Sequence, residues 1–309
     1  MKIVFLDDAT VGFDVSLDPI KALGDYTGYG STPAELVLER AGDCDVLIVN
    51  KVKIGKAEID GCKNLKLICE AATGTNNIDV AYAAQKGIPV KNVAGYSTES
   101  VLQVTYTLIL GLLGQIKFFD GYVKSGDYSA SGCFTEMSHP FPELDGKSMG
   151  VIGMGTIGSR VAQVAKAFKM NVNYFSTSGT NHCTEYPALS LEELLAKSDI
   201  ISIHAPLNDR TNNLITYDKL CLMKKNAIII NMGRGGIVNE ADLARAVDEG
   251  IIAGAGLDVY SAEPIPADHP YMKMKHKERM MFTPHVGWAS AEARVRLVQG
   301  VADNIKTIL

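Results

Sequence analysis

A glycine pattern near the middle of the chain is the feature that most constrains its fold. Gly153, Gly155 and Gly158 have the spacing G-x-G-x-x-G, directly after a short apolar run and at the start of a helical pattern. In that setting the first glycine permits a tight turn, the second lets the backbone approach a pyrophosphate, and the third lets helix and strand pack closely. Thr156 and Ile157 then lie at a helix N-terminus, which attracts phosphate. The alternative is a glycine-rich turn without a ligand, but the flanking strand and helix favour a dinucleotide-binding unit.

The segment after the next predicted strand bears on which dinucleotide is bound. An acidic residue is expected there to bind the ribose 2′-hydroxyl of NAD. This chain has Ser176, Thr177 and Ser178 instead. The missing carboxylate removes a charge that would repel a 2′-phosphate, but no arginine or lysine lies nearby in the sequence to attract one. The hydroxyl groups could donate to a phosphate or could only form a turn, so the expected cofactor is NAD or NADP without a preference.

Short apolar runs alternate with helical patterns on both sides of this loop. Such alternation is typical of parallel sheets whose strands are joined by crossover helices. In the first third of the chain the predicted strands are 3–6, 46–49, 65–69 and 90–93, with helices at 33–41 and 80–85. In the rest the predicted strands are 150–153, 172–175, 199–204, 227–231, 252–259 and 280–283, with helices at 98–119, 156–168, 191–195, 240–249 and 291–308. The sequence therefore predicts an α/β protein with parallel sheets.

The long helical pattern that begins at Thr98 marks the expected domain boundary. A chain of 309 residues is compatible with about two domains. We expect residues 98–286 to form the dinucleotide-binding Rossmann domain. The final helix is expected to return to the first domain, so that residues 1–97 plus 287–309 form a discontinuous domain.

Composition and charge narrow the class of partner. The formal net charge is −5, whereas a nucleic-acid-binding protein needs a basic face. The N-terminus does not resemble a signal peptide, and no stretch reaches the roughly 18 apolar residues of a membrane span. The six cysteines show no C-x-x-C spacing and the histidines form no H-x-x-x-H pair, so we expect no metal site. These features predict a cytoplasmic protein that binds neither nucleic acid nor membrane.

An arginine set among glycines follows one of the predicted strands. Arg234 lies in the segment N-M-G-R-G-G, after an apolar run that ends at Asn231. Its planar guanidinium suits bidentate binding of a carboxylate. The alternative is an exposed arginine in a turn. In open α/β sheets, ligands bind at the carboxyl ends of strands, so this position favours a binding role.

Two further strands end in residues that can exchange or hold a proton. Asp258 ends one apolar run, and Glu263 follows it in a loop before a proline. His285 ends another apolar run. Glu263 alone would be a solvated loop carboxylate, and a lone histidine is often structural. Together they could form a histidine–carboxylate pair, in which the carboxylate fixes the tautomer and stabilises the charged imidazole.

These segments occur in an order that is similar to a known family. The residues N-V-A-G-Y-S-T-E-S-V (92–101), H-A-P-L-N-D-R-T (204–211), N-M-G-R-G-G-I-V-N-E (231–240) and T-P-H-V-G-W-A-S (283–290) carry the likeness. With the glycine loop, they resemble the D-isomer-specific 2-hydroxyacid dehydrogenase family over nearly the whole chain. Within it, the chain most resembles the glycerate dehydrogenase or hydroxypyruvate reductase branch.

The resemblance implies an activity and a set of residue roles. Family members have two Rossmann-like domains with an active-site cleft between them, and their substrate-binding (catalytic) domain is built from both chain ends, here 1–97 plus 287–309. They pass a hydride between nicotinamide C4 and C2 of a small 2-keto or 2-hydroxy acid. Hydroxypyruvate and D-glycerate are the first expected substrates, and a homodimer is the expected assembly. By the same resemblance His285 is the general acid, Glu263 supports it and Arg234 holds the substrate carboxylate. The resemblance also implies that the backbone N–H groups of Thr73 and Gly74 bind that carboxylate and that Asp258 binds the nicotinamide amide. Thr105, His204 and Pro206 are implied to contact the cofactor.

Two other functions use the same fold. A dinucleotide-sensing binding protein would recruit partners without turnover, and fold likeness alone does not exclude it. A formate-type dehydrogenase would transfer hydride without a proton donor. The complete set of Arg234, Glu263 and His285 favours a 2-hydroxyacid dehydrogenase over both.

Overall fold

The computed structural model describes residues 1–180 and 183–309. Two compact units are present: Met1–Ser97 with Trp288–Leu309, and Thr98–Gly287. We call them the terminal unit and the central unit. The chain re-enters the terminal unit at Trp288, one residue after the start at residue 287 expected from the sequence.

The helices and strands of the described residues follow the predicted alternation. The strands are β1 (Lys2–Phe5), β2 (Asp25–Gly28), β3 (Val46–Val49), β4 (Leu67–Glu70), β5 (Val90–Lys91), β6 (Ser148–Ile152), β7 (Asn171–Phe175), β8 (Ile200–Ile203), β9 (Ile228–Asn231), β10 (Gly254–Leu257) and β11 (Met280–Phe282). The α-helices are α1 (Asp18–Lys21), α2 (Val37–Ala41), α3 (Lys56–Gly61), α4 (Val80–Gln85), α5 (Thr98–Leu113), α6 (Ile116–Lys124), α7 (Asp127–Ser131), α8 (Thr156–Ala167), α9 (Leu191–Lys197), α10 (Tyr217–Leu220), α11 (Glu240–Asp248), α12 (Pro270–Lys273) and α13 (Ala291–Lys306). Short 3-10 turns lie at Asp8–Val11, Ala34–Leu36 and Lys277–Arg279.

The terminal unit is built on a parallel sheet with the strand order β2-β1-β3-β4-β5. Strands β3 and β4 are buried along their whole length. The last helix, α13, covers one face: Leu297, Val301 and Ile305, spaced four residues apart, pack in the same core as Ile3 and Ile48. Burial of each such side chain contributes roughly 1.5–3 kcal/mol relative to exposure. The two ends of the chain therefore share one hydrophobic core.

Strand β2 was not predicted from the sequence. Its residues, D-Y-T-G, contain no apolar run, and all four are exposed or half-buried. The strand exists because Lys2 to Phe5 of β1 offers a paired edge to residues 25–28. An edge strand of this kind depends on its neighbour and carries little signal of its own.

The central unit is built on a parallel sheet with the order β11-β10-β9-β8-β6-β7. Its first strand, β6, lies between β7 on one side and β8 on the other. The strand order therefore changes direction at β6, because later strands add on the side of β8. The carboxyl ends of β6 and β8 flank this topological switch point. Two parallel sheets with crossover helices confirm the predicted α/β class.

The predicted single helix over residues 98–119 is wrong. Helix α5 ends at Leu113, and α6 begins at Ile116 after a bend of 64°. Gln115, with a φ of 48°, adopts the left-handed conformation that ends helices. A Cβ on Gly114 would lie 2.8 Å from the Leu110 carbonyl oxygen, which accounts for glycine there. The short helix α7, which follows α6, was not predicted from the sequence either.

No single helix within residues 1–180 and 183–309 is long and apolar enough to cross a membrane. Helices α5 and α6 meet the length and composition requirements only when taken together across their bend.

Candidate active site

The glycine loop joins β6 to α8 in the central unit. Gly153 has a φ of 91°, which side chains rarely adopt, and a Cβ there would lie 3.0 Å from the Ala205 backbone nitrogen. A Cβ on Gly158 would lie 2.2 Å from the Gly153 carbonyl oxygen, so α8 packs directly on the loop. Around Gly155, by contrast, no atom would meet a Cβ within 4 Å. The backbone at the α8 N-terminus is therefore open, while the glycines on either side of it are required by the turn and by close packing.

A cavity of about 490 Å³ lies against this loop. Six of the predicted cofactor residues line it: Gly153, Gly155, Ser176, Thr177, His204 and Pro206. They follow β6, β7 and β8, which are adjacent in the sheet. The cavity thus occupies the switch point, where open α/β sheets bind their ligands.

Two residues of the cavity wall carry a buried polar atom that has no partner among the described residues. These atoms are Ser176 Oγ and His204 Nδ1. The other ring nitrogen of His204, Nε2, lies 2.8 Å from Ser202 Oγ. Burial lowers the pKa of His204 to about 3, so the ring is neutral at pH 7. Buried polar atoms are normally hydrogen-bonded, and a polar ligand packed against these residues would supply the partners. The open glycine backbone and these two side chains fit a dinucleotide.

The remaining predicted cofactor residues lie around this cavity in different ways. Thr156 and Ile157 form the first turn of α8. Thr105 is fully buried in α5, and its hydroxyl donates to the Val101 carbonyl oxygen at 2.7 Å. That contact lies within the helix, so the structure shows a packing role for Thr105 and does not bring its hydroxyl to the cavity.

Arg234 lies in a loop that is fixed by its own backbone. Asn231, the last residue of β9, donates from Nδ2 to the Arg234 carbonyl oxygen at 2.9 Å and accepts the Gly233 N–H at 3.0 Å. The half-buried guanidinium donates to the Gly233 carbonyl oxygen at 2.8 Å. Within residues 1–180 and 183–309, no carboxylate pairs with it. The loop therefore presents a cation whose remaining donors can bind an anion.

Glu263 and His285 form the predicted histidine–carboxylate pair. Glu263 Oε2 lies 2.7 Å from His285 Nδ1, and Oε1 accepts the Tyr260 N–H at 3.0 Å. The side chains are 33 % and 24 % exposed, so the pair is reachable from solvent but partly shielded. His285 has a φ of 53°, a left-handed conformation that few residues adopt. Since Nδ1 is engaged by Glu263, Nε2 is the ring nitrogen left to exchange a proton.

Asp258 organises the turn that carries His285. Its buried carboxylate accepts from Thr283 Oγ1 at 2.6 Å and from the N–H groups of Val286 and Gly287, each at 2.8 Å. Burial raises the pKa of Asp258, and these three donors oppose the rise because they stabilise the charged form. The sequence placed Asp258 at the nicotinamide amide; the structure shows that its carboxylate already holds the turn around His285.

The loops that carry Arg234 and Glu263 are in direct contact. A Cβ on Gly235 would lie 1.9 Å from the Tyr260 carbonyl carbon, so only glycine allows this approach. The Tyr260 hydroxyl also donates to the Thr283 carbonyl oxygen at 2.9 Å, which links the Glu263 loop to β11. The structure therefore brings together the three segments that the sequence singled out.

Sequence reasoning missed a second histidine–carboxylate pair beneath the Glu263 loop. Glu240, the first residue of α11, lies 2.9 Å from His269 Nε2 and accepts the Ser261 N–H at 2.7 Å. Its other oxygen also accepts the Ser261 hydroxyl. Both Glu240 and His269 are largely buried. The position of Glu240 at the end of a family-like motif was a usable signal, but nothing local pointed to His269 as its partner.

In the terminal unit, Thr73 and Gly74 lie in the loop that follows β4. The Thr73 hydroxyl donates to the Val93 carbonyl oxygen at 3.1 Å, and Asn92 Nδ2 donates to the Thr73 carbonyl oxygen at 2.5 Å. Among the described residues, no acceptor bonds the N–H of Thr73 or Gly74. The Thr73 hydroxyl and carbonyl groups therefore anchor this loop, and the backbone N–H groups of Thr73 and Gly74 remain available to a ligand.

A buried acidic cluster at the same sheet edge was also missed. The Asp7 carboxylate accepts N–H groups from residues 50, 51 and 52 at 2.9, 2.6 and 3.2 Å. Glu70 is fully buried and accepts from Asn77 Nδ2 at 2.9 Å. Burial raises the pKa of Asp7, and raises the pKa of Glu70 to about 8. These contacts join positions far apart in the sequence, so no local pattern marks them.

No group of three histidine, cysteine, aspartate or glutamate side chains that could hold a metal ion occurs in the part of the chain that the structure describes.

The chain was compared with protein families, with related sequences and with solved structures. The family model for the D-isomer-specific 2-hydroxyacid dehydrogenase NAD-binding domain matches residues 106–287. The chain is 35 % identical to the hydroxypyruvate reductase of Blautia hydrogenotrophica, over 100 % of this chain and 97 % of that protein. It is 34 % identical to the glycerate dehydrogenase of Methylorubrum extorquens, over 100 % and 96 %. Among solved structures, an acyclic imino acid reductase in complex with NADPH and D-Arg has a TM-score of 0.88 and 29 % identity, over 100 % of this chain and 97 % of that chain.

These matches confirm the predicted family, the predicted reaction class and the nicotinamide cofactor, and they leave the choice between NAD and NADP open. They favour an enzyme over a dinucleotide sensor. The chain therefore belongs to the D-isomer-specific 2-hydroxyacid dehydrogenase family and is an NAD(P)-dependent oxidoreductase.

Proposed function

We propose that the protein interconverts hydroxypyruvate and D-glycerate, with His285 as the general acid in reduction and the general base in oxidation. The observation that carries this proposal is the 2.7 Å contact between Glu263 Oε2 and His285 Nδ1. A histidine held by a carboxylate keeps one ring nitrogen for proton exchange. The substrate itself is suggested by the two relatives named above, which are a hydroxypyruvate reductase and a glycerate dehydrogenase.

Each of the three central-unit side chains has one task in this scheme. The nicotinamide cofactor supplies the hydride that reaches C2 of the keto acid. His285 Nε2 gives its proton to the C2 oxygen, and Glu263 stabilises the charged ring before that transfer. Arg234 binds the substrate carboxylate with its free donors and polarises the keto oxygen. The close contact of Gly235 with Tyr260 holds the Arg234 loop against the Glu263 loop.

The remaining residue assignments are part of the same proposal. We propose that the central unit binds the dinucleotide through Gly153, Gly155, Thr156, Ile157, Gly158, Ser176, Thr177, His204 and Pro206. In the terminal unit, the free N–H groups of Thr73 and Gly74 are proposed donors to the substrate carboxylate. Asp258 acts as a positioning residue, since three donors from the His285 turn already occupy its carboxylate.

The test is the loss of reduced-nicotinamide absorbance with purified protein. The panel contains hydroxypyruvate, glyoxylate, pyruvate and a bulkier 2-keto acid, each with NADH and with NADPH. We expect the highest kcat/KM with hydroxypyruvate. A parallel arm adds an amine to each keto acid, because the imino acid reductase is one of the most similar structures. Turnover only in the amine arm would replace the proposed substrate with an imino acid.

A homodimer is the proposed assembly. Helix α6 and the segment after it expose apolar side chains that include Ile116, Val123, Phe134, Met137 and Phe141. Such a patch is more often an interface than a solvated surface. We expect light scattering to give twice the chain mass, and Phe134→Ser to shift the mass toward the monomer. Phe13→Ser is the matched control, because Phe13 is 95 % exposed in the terminal unit.

We also propose a cytoplasmic location, since the enzyme needs the intracellular nicotinamide pool and its cysteines are free thiols. Cell fractionation followed by detection of the protein in the cytoplasmic fraction tests this. Detection in the secreted fraction would contradict it.

A further inference from the structure

The cavity beside the glycine loop contains a cation that the sequence did not place there. Arg210, in the loop after β8, donates from Nη1 to the Ser178 carbonyl oxygen at 2.9 Å, across 32 positions of sequence. Both residues line the cavity. The guanidinium therefore lies against the turn that follows β7, the segment where the dinucleotide fingerprint expects the group that recognises the ribose 2′ position.

The groups around Arg210 at this position suit an anion. The residues that follow β7 are Ser176, Thr177 and Ser178, and none carries a negative charge. Ser176 Oγ is buried without a partner among the described residues. Arg210 uses one donor for Ser178, and a guanidinium has five, so several remain for phosphate oxygens.

One charged neighbour opposes this reading. Asp209 also lines the cavity, and its carboxylate could accept the ribose hydroxyl of NAD or repel a 2′-phosphate. In residues 1–180 and 183–309, however, no hydrogen bond or ion pair fixes the Asp209 side chain, whereas Arg210 donates to the turn that follows β7. Arg210 is thus the charged side chain that a hydrogen bond holds at this turn.

We propose that this cavity binds the 2′-phosphate of NADP(H), that Arg210 determines this specificity, and that the protein prefers NADPH to NADH. The proposal rests on the proposed function only in assigning the cavity to the dinucleotide. It differs from the sequence expectation, which left the two cofactors equal because Arg210 is remote from β7 in the sequence.

Equilibrium binding to the full chain, without a keto acid, tests the proposal. The probes are NADPH, NADH, 2′,5′-ADP and 5′-AMP, measured by calorimetry. We expect NADPH and 2′,5′-ADP to bind about tenfold more tightly than their partners without the 2′-phosphate. Arg210→Ala should remove that difference while changing NADH affinity by less than about twofold.

Two further variants make the test specific. Arg245→Ala is the matched control, because Arg245 is an exposed arginine of α11 that pairs with Glu249 and does not line the cavity. It removes the same charge and should leave both affinities unchanged. Asp209→Asn should strengthen NADPH binding if Arg210 governs the site, since it removes the only carboxylate among the described residues of the cavity wall.

Four outcomes would overturn the proposal. Equal binding of NADPH and NADH would do so, as would an NADPH preference that survives Arg210→Ala. Loss of NADH binding in Asp209→Asn, with NADH preferred by the wild type, would assign the site to NAD through Asp209. Failure of both dinucleotides to bind would also remove the cavity from the proposed function. NADPH binding without turnover of any keto acid would instead contradict the reaction and leave the cofactor specificity standing.

Discussion

The carboxyl ends of the two sheets carry polar groups of different kinds. In the central unit, Arg234 and His285 are half-buried, and each retains a donor or a ring nitrogen for a ligand, while the more exposed Glu263 holds His285. In the terminal unit, Asp7 and Glu70 are buried, and their carboxylates bind their own protein. The central edge presents side chains that can bind or protonate a ligand, whereas the terminal edge uses buried carboxyl groups to hold its loops.

This difference shows how each edge is built. In the central unit, Asp258 and Glu240 are the buried carboxylates that hold the loops, and the reactive side chains lie on those loops. In the terminal unit the buried carboxylates hold loops whose exposed part is backbone, such as the N–H groups of Thr73 and Gly74. Substitutions at the central edge should therefore change chemistry, and those at the terminal edge should change stability.

The largest effect is expected at His285. His285→Asn keeps the left-handed backbone, which asparagine tolerates, but removes the proton donor. We expect kcat to fall by roughly 10²–10⁴-fold, the usual contribution of a general acid, with cofactor affinity unchanged. The matched variant of the terminal unit is Thr73→Ala, which loses only a hydroxyl bond to Val93 and should change kcat by less than about threefold. Near-normal turnover in His285→Asn, or a larger loss in Thr73→Ala, would break the comparison.

The next effect is expected at Arg234. Arg234→Ala removes a charge-assisted hydrogen bond to the substrate carboxylate, so kcat/KM for the keto acid should fall by roughly 10²-fold. Arg234→Lys should recover only part of this, because an ammonium lacks the planar fork. Steady-state kinetics at saturating cofactor measure both values. Unchanged kinetics in Arg234→Ala would remove this side chain from the site.

A smaller effect on turnover is expected at Glu240. Substitution of this residue tests whether a buried carboxylate affects catalysis by holding the loop that carries Glu263. Glu240→Gln keeps an acceptor for the Ser261 N–H but loses the charged partner of His269. We expect kcat to fall by about tenfold with the keto-acid KM and the cofactor affinity unchanged, because the Glu263 loop loses the acceptor for the Ser261 hydroxyl. A fall in thermal stability without a change in kcat would give Glu240 a purely structural role.

The smallest effect on turnover is expected at Glu70, where stability should respond instead. The pKa of the Glu70 carboxyl is about 8 in the fold against 4.5 in the unfolded chain. Between these values the folded chain binds more protons, so the free energy of unfolding falls as pH rises, by up to about 1.4 kcal/mol per pH unit. Glu70→Gln should lose this dependence and gain stability relative to the wild type from pH 5 to pH 8. Denaturant unfolding at several pH values measures it, and parallel curves for the two proteins would contradict the assignment.

The same contrast explains what the sequence could predict. Arg234, Glu263 and His285 each follow a predicted strand in a short motif, so their residue types and order were readable, and parallel strands bring such positions to one edge. The alternation of apolar runs and helices likewise predicted both parallel sheets. The signal in each case is local to the motif or the strand.

What the sequence could not predict depends on contacts between distant positions. Strand β2 exists because β1 pairs with it, and the cluster of Asp7 and Glu70 exists because β1, β3 and β4 lie side by side and end at one edge of the sheet. Arg210 reaches Ser178 only through the order of β8, β6 and β7 in the sheet. The helix break at Gln115 was marked by a glycine before it, but the apolar pattern continues through it.

The most direct test of this account is chemical rescue of His285→Gly. Glycine adopts the φ of 53° without strain and leaves room for a free imidazole molecule. If His285 donates the proton in reduction, hydroxypyruvate turnover by the variant should be very low and should rise with added imidazole, while the wild type is unaffected. Wild-type turnover by the variant in the absence of imidazole would contradict the account, because the proton would then come from another group.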